Sequence, residues 1–444
     1  MPVEICTVGG YNEVGKNCTA IKVDDEVILC DLGVFLESYI ALTDEEGEDI
    51  VKLSPHQMMK EGAVADVSAI KDWRNKVIAI IPTHAHLDHV GAIPFLASQF
   101  EAPIICTQYT ASVLKTILKD EGMKIENEIK TLSVNSIYKI SKNITIEFIN
   151  MTHSTPQTVM VAIHTKHGVI IYANDFKFDS TPTLGKKPNF KRLKELGEKG
   201  ILALIVDSTY APLRAKCPSE AVAKELLKEV MLGTESKNKA VIVTTFSSHL
   251  ARLKSIIEFG KQMDRKIIFM GRSLAKYIKA GEDIGIVDFS KDVKILRYGR
   301  QVKGKLKEVA KSRGKYLLVI TGHQAEPKSI LSKMVRGDLQ FDFHPEDQVI
   351  FSCKVIPTEK NIRDREAMEE ALKSKGVRIF RDVHVSGHAA REDIRDLLNM
   401  VKPEHIIPAH GSMEMRQALH DLAIEMGHDK RKVHLSNDGN RLVL

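Results

Sequence analysis

Residues Val77–Leu96 read VIAIIPTHAHLDHVGAIPFL. An uncharged apolar run ends at Pro82, and His84, His86, Asp88 and His89 follow within six positions. Alternate residues of an extended turn point the same way, so His84 and His86 can grip one cation while Asp88 and His89 turn towards another. Packing does not favour this composition, because ionisable groups beside a buried strand are costly without partners. A lone histidine at a strand end is more often a cap or a core residue. Three histidines and an aspartate at this spacing are a ligand set, and imidazole with carboxylate suits zinc.

Further ligands follow other apolar runs. ITIEFI leads into His153, VIIYAND ends in Asp175, and HIIPAHG carries His410. Each sits where the C-terminal ends of strands in an α/β sheet open into a crevice. Together they complete two metal sites, one of His84, His86 and His153, the other of Asp88, His89 and His410, with Asp175 bridging. Asp31, after the run VILC, is placed to orient a ligand histidine.

This pattern resembles the metallo-β-lactamase superfamily, which implies a four-layer αββα sandwich. The long gap between Asp175 and His410 implies a large insertion. ALIVDSTYA, TTFSSHLAR, YLLVITGHQAEP, VIFSCKVIPTEKN and HVSGHA lie within it. They resemble the β-CASP group of nucleic-acid-processing enzymes, and most of all the archaeal type of the ribonuclease J family. The resemblance covers nearly the whole chain and makes Asp207, His388 and His410 the group's motifs A, B and C. The chain departs from the family pattern at His323 and Ala325, where Ser and Gly are commoner, and at Thr358 and Glu359, where Gly-Asn is commoner.

The implied activity is zinc-dependent hydrolysis of RNA phosphodiester bonds, chiefly 5′→3′ exonucleolytic from 5′-monophosphate ends. Asp31, Asp88, Asp207 and His388 would be the catalytic residues. Two bridged divalent ions, zinc or in its place manganese, activate a water and clamp the phosphate. His388, held by Asp207, fits a general acid; a capping or core histidine is the plainer alternative. Hydroxyls and N–H groups of Ser247, Ser248, His384, Ser386, Gly387 and His388 would hold the terminal phosphate, against simple N-capping by Ser247 or Ser248. A β-CASP endoribonuclease of cleavage-factor type and a small-molecule metallo-hydrolase are the competing readings. The expected partner is single-stranded RNA, with a homodimer as the expected assembly.

The 444 residues divide into residues 1–208 and 383–444 of the metallo-β-lactamase domain around an α/β insert, 209–382. Apolar runs alternate with amphipathic stretches in both parts, as layered α/β structure requires. Strands are expected around Val27–Cys30, Val77–Ile81, Ile144–Ile149, Val159–Ile163, Val169–Ala173, Leu202–Val206, Val241–Thr244, Lys266–Phe269, Leu317–Ile320 and Gln348–Phe351. Helices are expected at Ser219–Leu232, His249–Met263, Arg365–Lys375 and Arg416–Met426. Phe35–Asp66, acidic at Asp44–Asp49 and without apolar period, reads as a loop-like insertion.

No apolar run is long enough to span a bilayer, and the N-terminus lacks the pattern of a secretory leader. Six cysteines without a CxxC pair fit a reduced cytoplasmic chain. A net charge of +6 permits a polyanionic partner without demanding one. GYNEVGK approaches a phosphate-binding loop, but Asn17 follows in place of the hydroxyl and CTAIKV reads as a strand, so a turn near the active site is expected. The basic run Ile295–Lys315 could follow an RNA backbone or be a solvated helix face. His164, His167, His249 and His434 have no partner legible in the sequence.

Overall fold

A computed structural model of the chain describes residues 3–45, 54–356 and 359–444. Thr358 and most of the acidic stretch Asp44–Asp49 lie outside them. The described chain divides into two compact units: residues 1–180, 185–217 and 387–444 form one, and residues 181–184 and 218–386 the other.

The first unit begins with strands β1 (Val3–Gly9), β2 (Cys18–Val23), β3 (Glu26–Cys30), β4 (Val77–Ile81), β5 (Ile104–Thr107) and β6 (Ile129–Leu132). It continues with β7 (Ile137–Lys139), β8 (Thr145–Asn150), β9 (Val159–Thr165), β10 (Gly168–Ala173) and β11 (Ile201–Asp207). The second unit carries β12 (Val241–Thr244), β13 (Lys266–Met270), β14 (Lys294–Leu296), β15 (Tyr316–Ile320), β16 (Gln348–Phe351) and β17 (Arg378–Phe380). The chain then returns to the first unit with β18 (Pro403–Ala409) and β19 (Asn440–Val443).

Two sheets build the first unit, ordered β19-β1-β2-β3-β4-β5-β6 and β18-β11-β10-β9-β8-β7. Their facing side chains, Ile5, Ile21, Ile28 and Ala79 from one and Phe148, Val161, Ile170, Ala203 and Ile407 from the other, form one core. Helices Phe190–Lys199, Arg391–Val401 and Met413–Glu425 bury Leu193, Leu196, Leu397, Leu398, Leu419 and Leu422 on the outer face of the second sheet. Helix Gln108–Asp120 buries Val113, Leu114 and Ile117 beside β5 and β6. The result is the expected αββα sandwich. The mostly unbroken apolar runs of the strands follow from burial on both faces.

β3 pairs parallel with β4, and β10 with β11 and β11 with β18. β8 runs in the same sense as β10, because each is antiparallel to β9. The C-terminal ends of these strands therefore open along one edge of each sheet, and those ends carry Asp31, His84, His153, Asp175, Asp207 and His410.

The second unit is a parallel sheet, order β14-β13-β15-β12-β16-β17. Val302, Leu306, Val309, Leu331, Met334, Met368 and Leu372 of its helices close one face over Ile242, Ile268, Leu318 and Ile320.

Three expectations need correction. Phe35–Asp66 is not loop alone: Leu36–Glu45 and Pro55–Lys60 are helices, the second capped by Ser54 Oγ. Its ends are tied where Val34 bridges Val64 and Phe35 N–H bonds Ala63 O at 2.8 Å, so the excursion closes on itself. The helix expected at Arg365–Lys375 spans Glu359–Lys373, because its first turns are polar and carry no apolar period. The helix after β12 starts at Leu250, with His249 rather than Ser247 or Ser248 at its cap. The basic run Ile295–Lys315 forms helix Gly299–Lys311, which buries Val302, Leu306 and Val309 and leaves its lysines on the other face.

Candidate metal centre

His84 follows β4, and His86 sits at the N-terminal boundary of the short helix Leu87–Val90 without a side-chain capping bond. Their loop is held from behind by backbone: Asn17 N–H bonds Asp88 O, Leu32 N–H bonds His89 O, and Val34 N–H bonds Leu87 O, at 2.8–3.0 Å. This leaves no room at Gly33, where a Cβ would lie 1.6 Å from the Asp88 carbonyl oxygen. Asp31, Asp175 and His410 have φ of 61°, 49° and 53°. Left-handed backbone at non-glycine residues is strained by roughly 1–3 kcal/mol each and collects at functional sites. Here it turns three side chains off their strand ends into the same space.

The side chains form two four-donor cradles. In the first, His86 Nδ1 lies 3.1 Å from both His84 Nε2 and His153 Nε2, and Asp175 Oδ2 lies 3.5 Å from each of those two. In the second, His89 Nε2 is 3.5 Å from Asp88 Oδ2 and 3.3 Å from Asp175 Oδ1. His410 Nε2 is 3.7 Å from Asp88 Oδ2 and 3.4 Å from Asp175 Oδ1. A tetrahedral ion with bonds of 2.0–2.1 Å requires donors about 3.3–3.4 Å apart. Both cradles meet that spacing, and Asp175 gives one oxygen to each.

Proton accounting shows that these lone pairs need a cation. Thr83 Oγ1 donates to Asp31 Oδ1 at 3.0 Å and so accepts from His84 Nδ1–H at 3.1 Å. His153 Nδ1–H donates to Gly387 O at 2.7 Å, His89 Nδ1–H to Asp31 Oδ2 at 2.7 Å, and His410 Nδ1–H to Asn17 Oδ1 at 2.9 Å. With Nδ1–H committed in each ring, Nε2 is the nitrogen that faces inward and the one that can ligate once it is unprotonated. His86 Nδ1 can offer a proton to only one of the two nitrogens beside it. His410 Nε2 and Asp175 Oδ1 are buried with no hydrogen-bond partner among the described residues. Such orphaned acceptors are costly, and a pair of divalent cations satisfies them all.

Charge favours the same conclusion. Burial, helped by neighbouring imidazoles, holds His84 and His153 well below the usual histidine range and His86 at about 4. They are neutral at pH 7, as ligands must be. His89 is the exception: burial lowers it, but Asp175, Asp31 and Asp88 outweigh burial and raise it well above the usual range, so a cation bound there would have to displace its Nε2 proton. Burial alone would raise Asp175, but the imidazoles of His410 and His89 hold its carboxylate well below its usual range.

His388 stands at the rim. Its Nδ1 donates to Asp207 Oδ2 at 2.8 Å, and its Nε2 lies 3.9 Å from Asp175 Oδ2. Burial disfavours its charged form, yet Asp175 and Asp207 outweigh this and raise it to about 9. Cations on Asp175 would cancel part of that pull.

The expected ligands and Asp31 thus come together, with His388 and Asp207 beside them. Asn17 went unanticipated. Besides accepting from His410, its Nδ2 donates to Asp88 O and faces His89 Nε2, both at 3.1 Å. Asn174 Nδ2, 3.1 Å from Asn17 Oδ1, fixes the orientation of that amide. The turn Gly10–Lys16 delivers Asn17, and Gly10 O accepts from His410 N–H at 2.7 Å. In the sequence, the trace of this role is an amide directly before the apolar run CTAIKV.

In the second unit, Ser247 Oγ lies 2.9 Å from Ser273 Oγ, and the His384 ring packs 6.4 Å from that of Phe246. Arg252 Nη1 reaches His384 Nδ1 at 3.4 Å. Ser248 is buried and Ser386 half-buried. Gly387 acts through its carbonyl, and a Cβ there would lie 2.1 Å from Ser154 Oγ. Ala325 takes a left-handed φ of 61°, a conformation that the commoner glycine adopts freely. The histidines without a legible partner all have one: His164 with Glu147, His167 with Asp24, His249 with Glu220, and His434 with His405.

Comparison with known proteins agrees with this architecture. Residues 11–214 match the metallo-beta-lactamase superfamily, residues 238–365 the beta-CASP domain of ribonuclease J, and residues 377–435 a Zn-dependent metallo-hydrolase RNA specificity domain. The chain is 42% identical to the protein named ribonuclease J from Pyrococcus abyssi, over 99% of this chain and 96% of that one. It is 39% identical to the ribonuclease J of Methanocaldococcus jannaschii, over 100% and 99%. Ribonuclease J 1 of Streptococcus pyogenes is 31% identical over 100% of this chain and 74% of its own length. The crystal structure of a protein of unknown function from Enterococcus faecalis superposes with a TM-score of 0.67, covering 100% of both chains at 16% identity, and so shares the fold.

Proposed function

The chain belongs to the ribonuclease J family and is a metal-dependent ribonuclease, and from that premise we propose that it trims single-stranded RNA 5′→3′ from 5′-monophosphate ends with two zinc ions. The observation that carries this is the pair of four-donor cradles sharing Asp175, with the hydrogen-bonded His388–Asp207 pair 3.9 Å away. Nitrogen-rich donors at tetrahedral spacing favour zinc, and manganese, which prefers more oxygen donors, is the second choice.

His84, His86, His153 and Asp175 would hold one ion, and Asp88, His89, His410 and Asp175 the other. Such a pair supplies a water acidified towards neutrality and neutralises charge on the attacked phosphate. The protein does the rest. Asp31, through Thr83 and His89, fixes rings in both cradles. Asp207 holds Nδ1 of His388, so its Nε2 carries the mobile proton and can deliver it to the departing ribose oxygen. Ser247, Ser248, His384, Ser386 and Gly387 are proposed to receive the 5′-phosphate and set the register of stepwise cleavage. Residues 209–382 are taken as the inserted domain; it supplies Ser247 and Ser248, and His384, Ser386 and Gly387 follow directly after it in the chain. Six free cysteines, all buried, support a reducing cytoplasmic setting. A homodimer is the proposed assembly, to be tested by light scattering.

The test uses one RNA labelled at its 3′ end, with a 5′-monophosphate or a 5′-triphosphate. Labelled RNA that shortens by single nucleotides only in the monophosphate form supports the proposal; internal fragments from both forms make the enzyme an endonuclease. His388→Gln should lower the rate by about 10²–10⁴-fold, the span of general acid catalysis, with bound zinc unchanged. Full activity in that variant would remove His388 from the mechanism. Turnover of a lactam or thioester with none of RNA would instead support a small-molecule hydrolase.

A further inference from the structure

The parallel sheet of the second unit has two ends. Its C-terminal edge carries Phe246, Ser247, His323 and His384, and two residues after Ser386 the chain reaches His388. Its opposite edge has no assigned role. There an open basin of about 1200 Å³ lies where the chain enters the adjacent strands β12, β15 and β13. A five-residue strand separates the two edges by about 16 Å, so the basin is distinct from the proposed phosphate pocket.

The basin is cationic. Lys237, Arg265, Lys311, Arg313 and Lys315 line it against only Glu235 and Asp264. Arg313 is neutralised by Asp347. Arg265, only 8% exposed, is not neutralised. Its guanidinium donates to the carbonyls of Lys239, Tyr316 and Ser236 and to Ser236 Oγ, and no carboxylate pairs with it among the described residues. An arginine keeps its charge at any pH a protein survives, so this is a buried positive charge without a counter-ion. Burial alone pushes it below its ordinary range. The ammonium groups of Lys237, Lys311 and Lys315 reach solvent and pair with no carboxylate among the described residues. Three helices, ending at Gly233, Gln262 and Lys311, point their negative C-terminal ends here. Those dipoles make the cations tolerable in the bare protein but leave a net positive surface.

Resting on the ribonuclease reading, we propose that this basin is a second RNA-binding site, holding phosphates of the substrate backbone away from the cleavage centre. Its openness and polar rim suit a polyanionic strand better than a small enclosed metabolite. It has no aromatic lining, so it grips phosphate without stacking bases and without sequence preference. Long RNA gains this grip, and short RNA cannot reach it.

The experiment compares the full chain with a Lys237→Ala, Lys311→Ala, Lys315→Ala variant, three exposed positions that do not touch the core. Affinity for a long unstructured RNA is measured against salt, and turnover on a 5′-phosphorylated trinucleotide in parallel. Removing three lysines that each neutralise one phosphate of a single strand flattens the slope of log K against log salt by about 2, while trinucleotide turnover stays the same. An unchanged slope, or equal loss on both substrates, overturns the second site and leaves the ribonuclease reading standing. A wild-type chain that binds and cleaves no RNA overturns both.

Discussion

A histidine that holds a metal must solve two problems, being unprotonated on one nitrogen and immobile on the other. His84, His89, His153 and His410 solve the second with four different acceptors: Thr83 Oγ1, Asp31 Oδ2, Gly387 O and Asn17 Oδ1. Asn17 serves the second cradle twice, because it orients His410 and buttresses the Asp88–His89 backbone. Asn17→Ala removes the acceptor without touching a ligand. It should weaken metal binding about 10–100-fold, as loss of an orienting partner does. Titration with a chelator and atomic absorption of the dialysed protein would measure this, and an affinity equal to wild type would refute the role. The ligands themselves were legible because charged and imidazole groups crowd after apolar runs, where packing cannot account for them. Asn17 was not, since one amide at the head of a strand has many uses, and only the convergence of chain ends 393 positions apart shows which applies.

Strands and helices carry these residues only as rigidly as they are pinned to one another. β8 leads to His153, and its Glu147 receives Arg192 Nε at 2.6 Å and Nη2 at 3.0 Å from helix Phe190–Lys199, and His164 Nε2 at 3.0 Å from β9. Burial would raise Glu147, but the hydrogen bonds of His164 and Arg192 prevail and lower it to about 2. A carboxylate whose pKa is depressed on folding stabilises the protein above its unfolded pKa and loses that contribution as pH falls through the folded one. For Glu147 the window runs from about pH 4.5 down to about pH 2. Glu147→Gln should therefore cost roughly 1.5–3 kcal/mol near neutrality, the worth of hydrogen bonds to a charged group. The gap to wild type should close as pH drops through that window in urea unfolding. A gap independent of pH would mean that packing, not charge, holds the helix to the strand. Most strands were legible as short apolar runs. The helices of Phe35–Asp66 were not, because one is a single capped turn and a half and the other is amphipathic only weakly. Both are stabilised by the tertiary closure of Val34 on Val64, which a local pattern cannot contain.

The whole molecule puts every proposed metal ligand in one unit, although the chain between Asp175 and His410 builds another with its own sheet and core. That interruption was legible as a gap of 235 positions, 410 minus 175, between ligands that must meet. Its sheet order was not, because parallel strands pair across long separations. Separate cores and one-sided ligation have a thermodynamic consequence. Cations bound only by the native first unit add stability to its unfolding by mass action, about 4.1 kcal/mol at a free concentration a thousandfold above the dissociation constant. They add nothing to the second unit, whose described residues hold no ligand cluster. Stripping the metal also exposes unsatisfied acceptors at His410 Nε2 and Asp175 Oδ1 in the first unit alone. Calorimetry of the metal-loaded and chelator-treated chain should then show an endotherm that shifts down by several degrees and one that stays in place. Hydrogen exchange should assign the shifting transition to β8–β11 and β18. If both transitions moved together, or if exchange quickened equally in β12–β17, the metal would be stabilising a single cooperative body, and the independence of the two cores would be wrong.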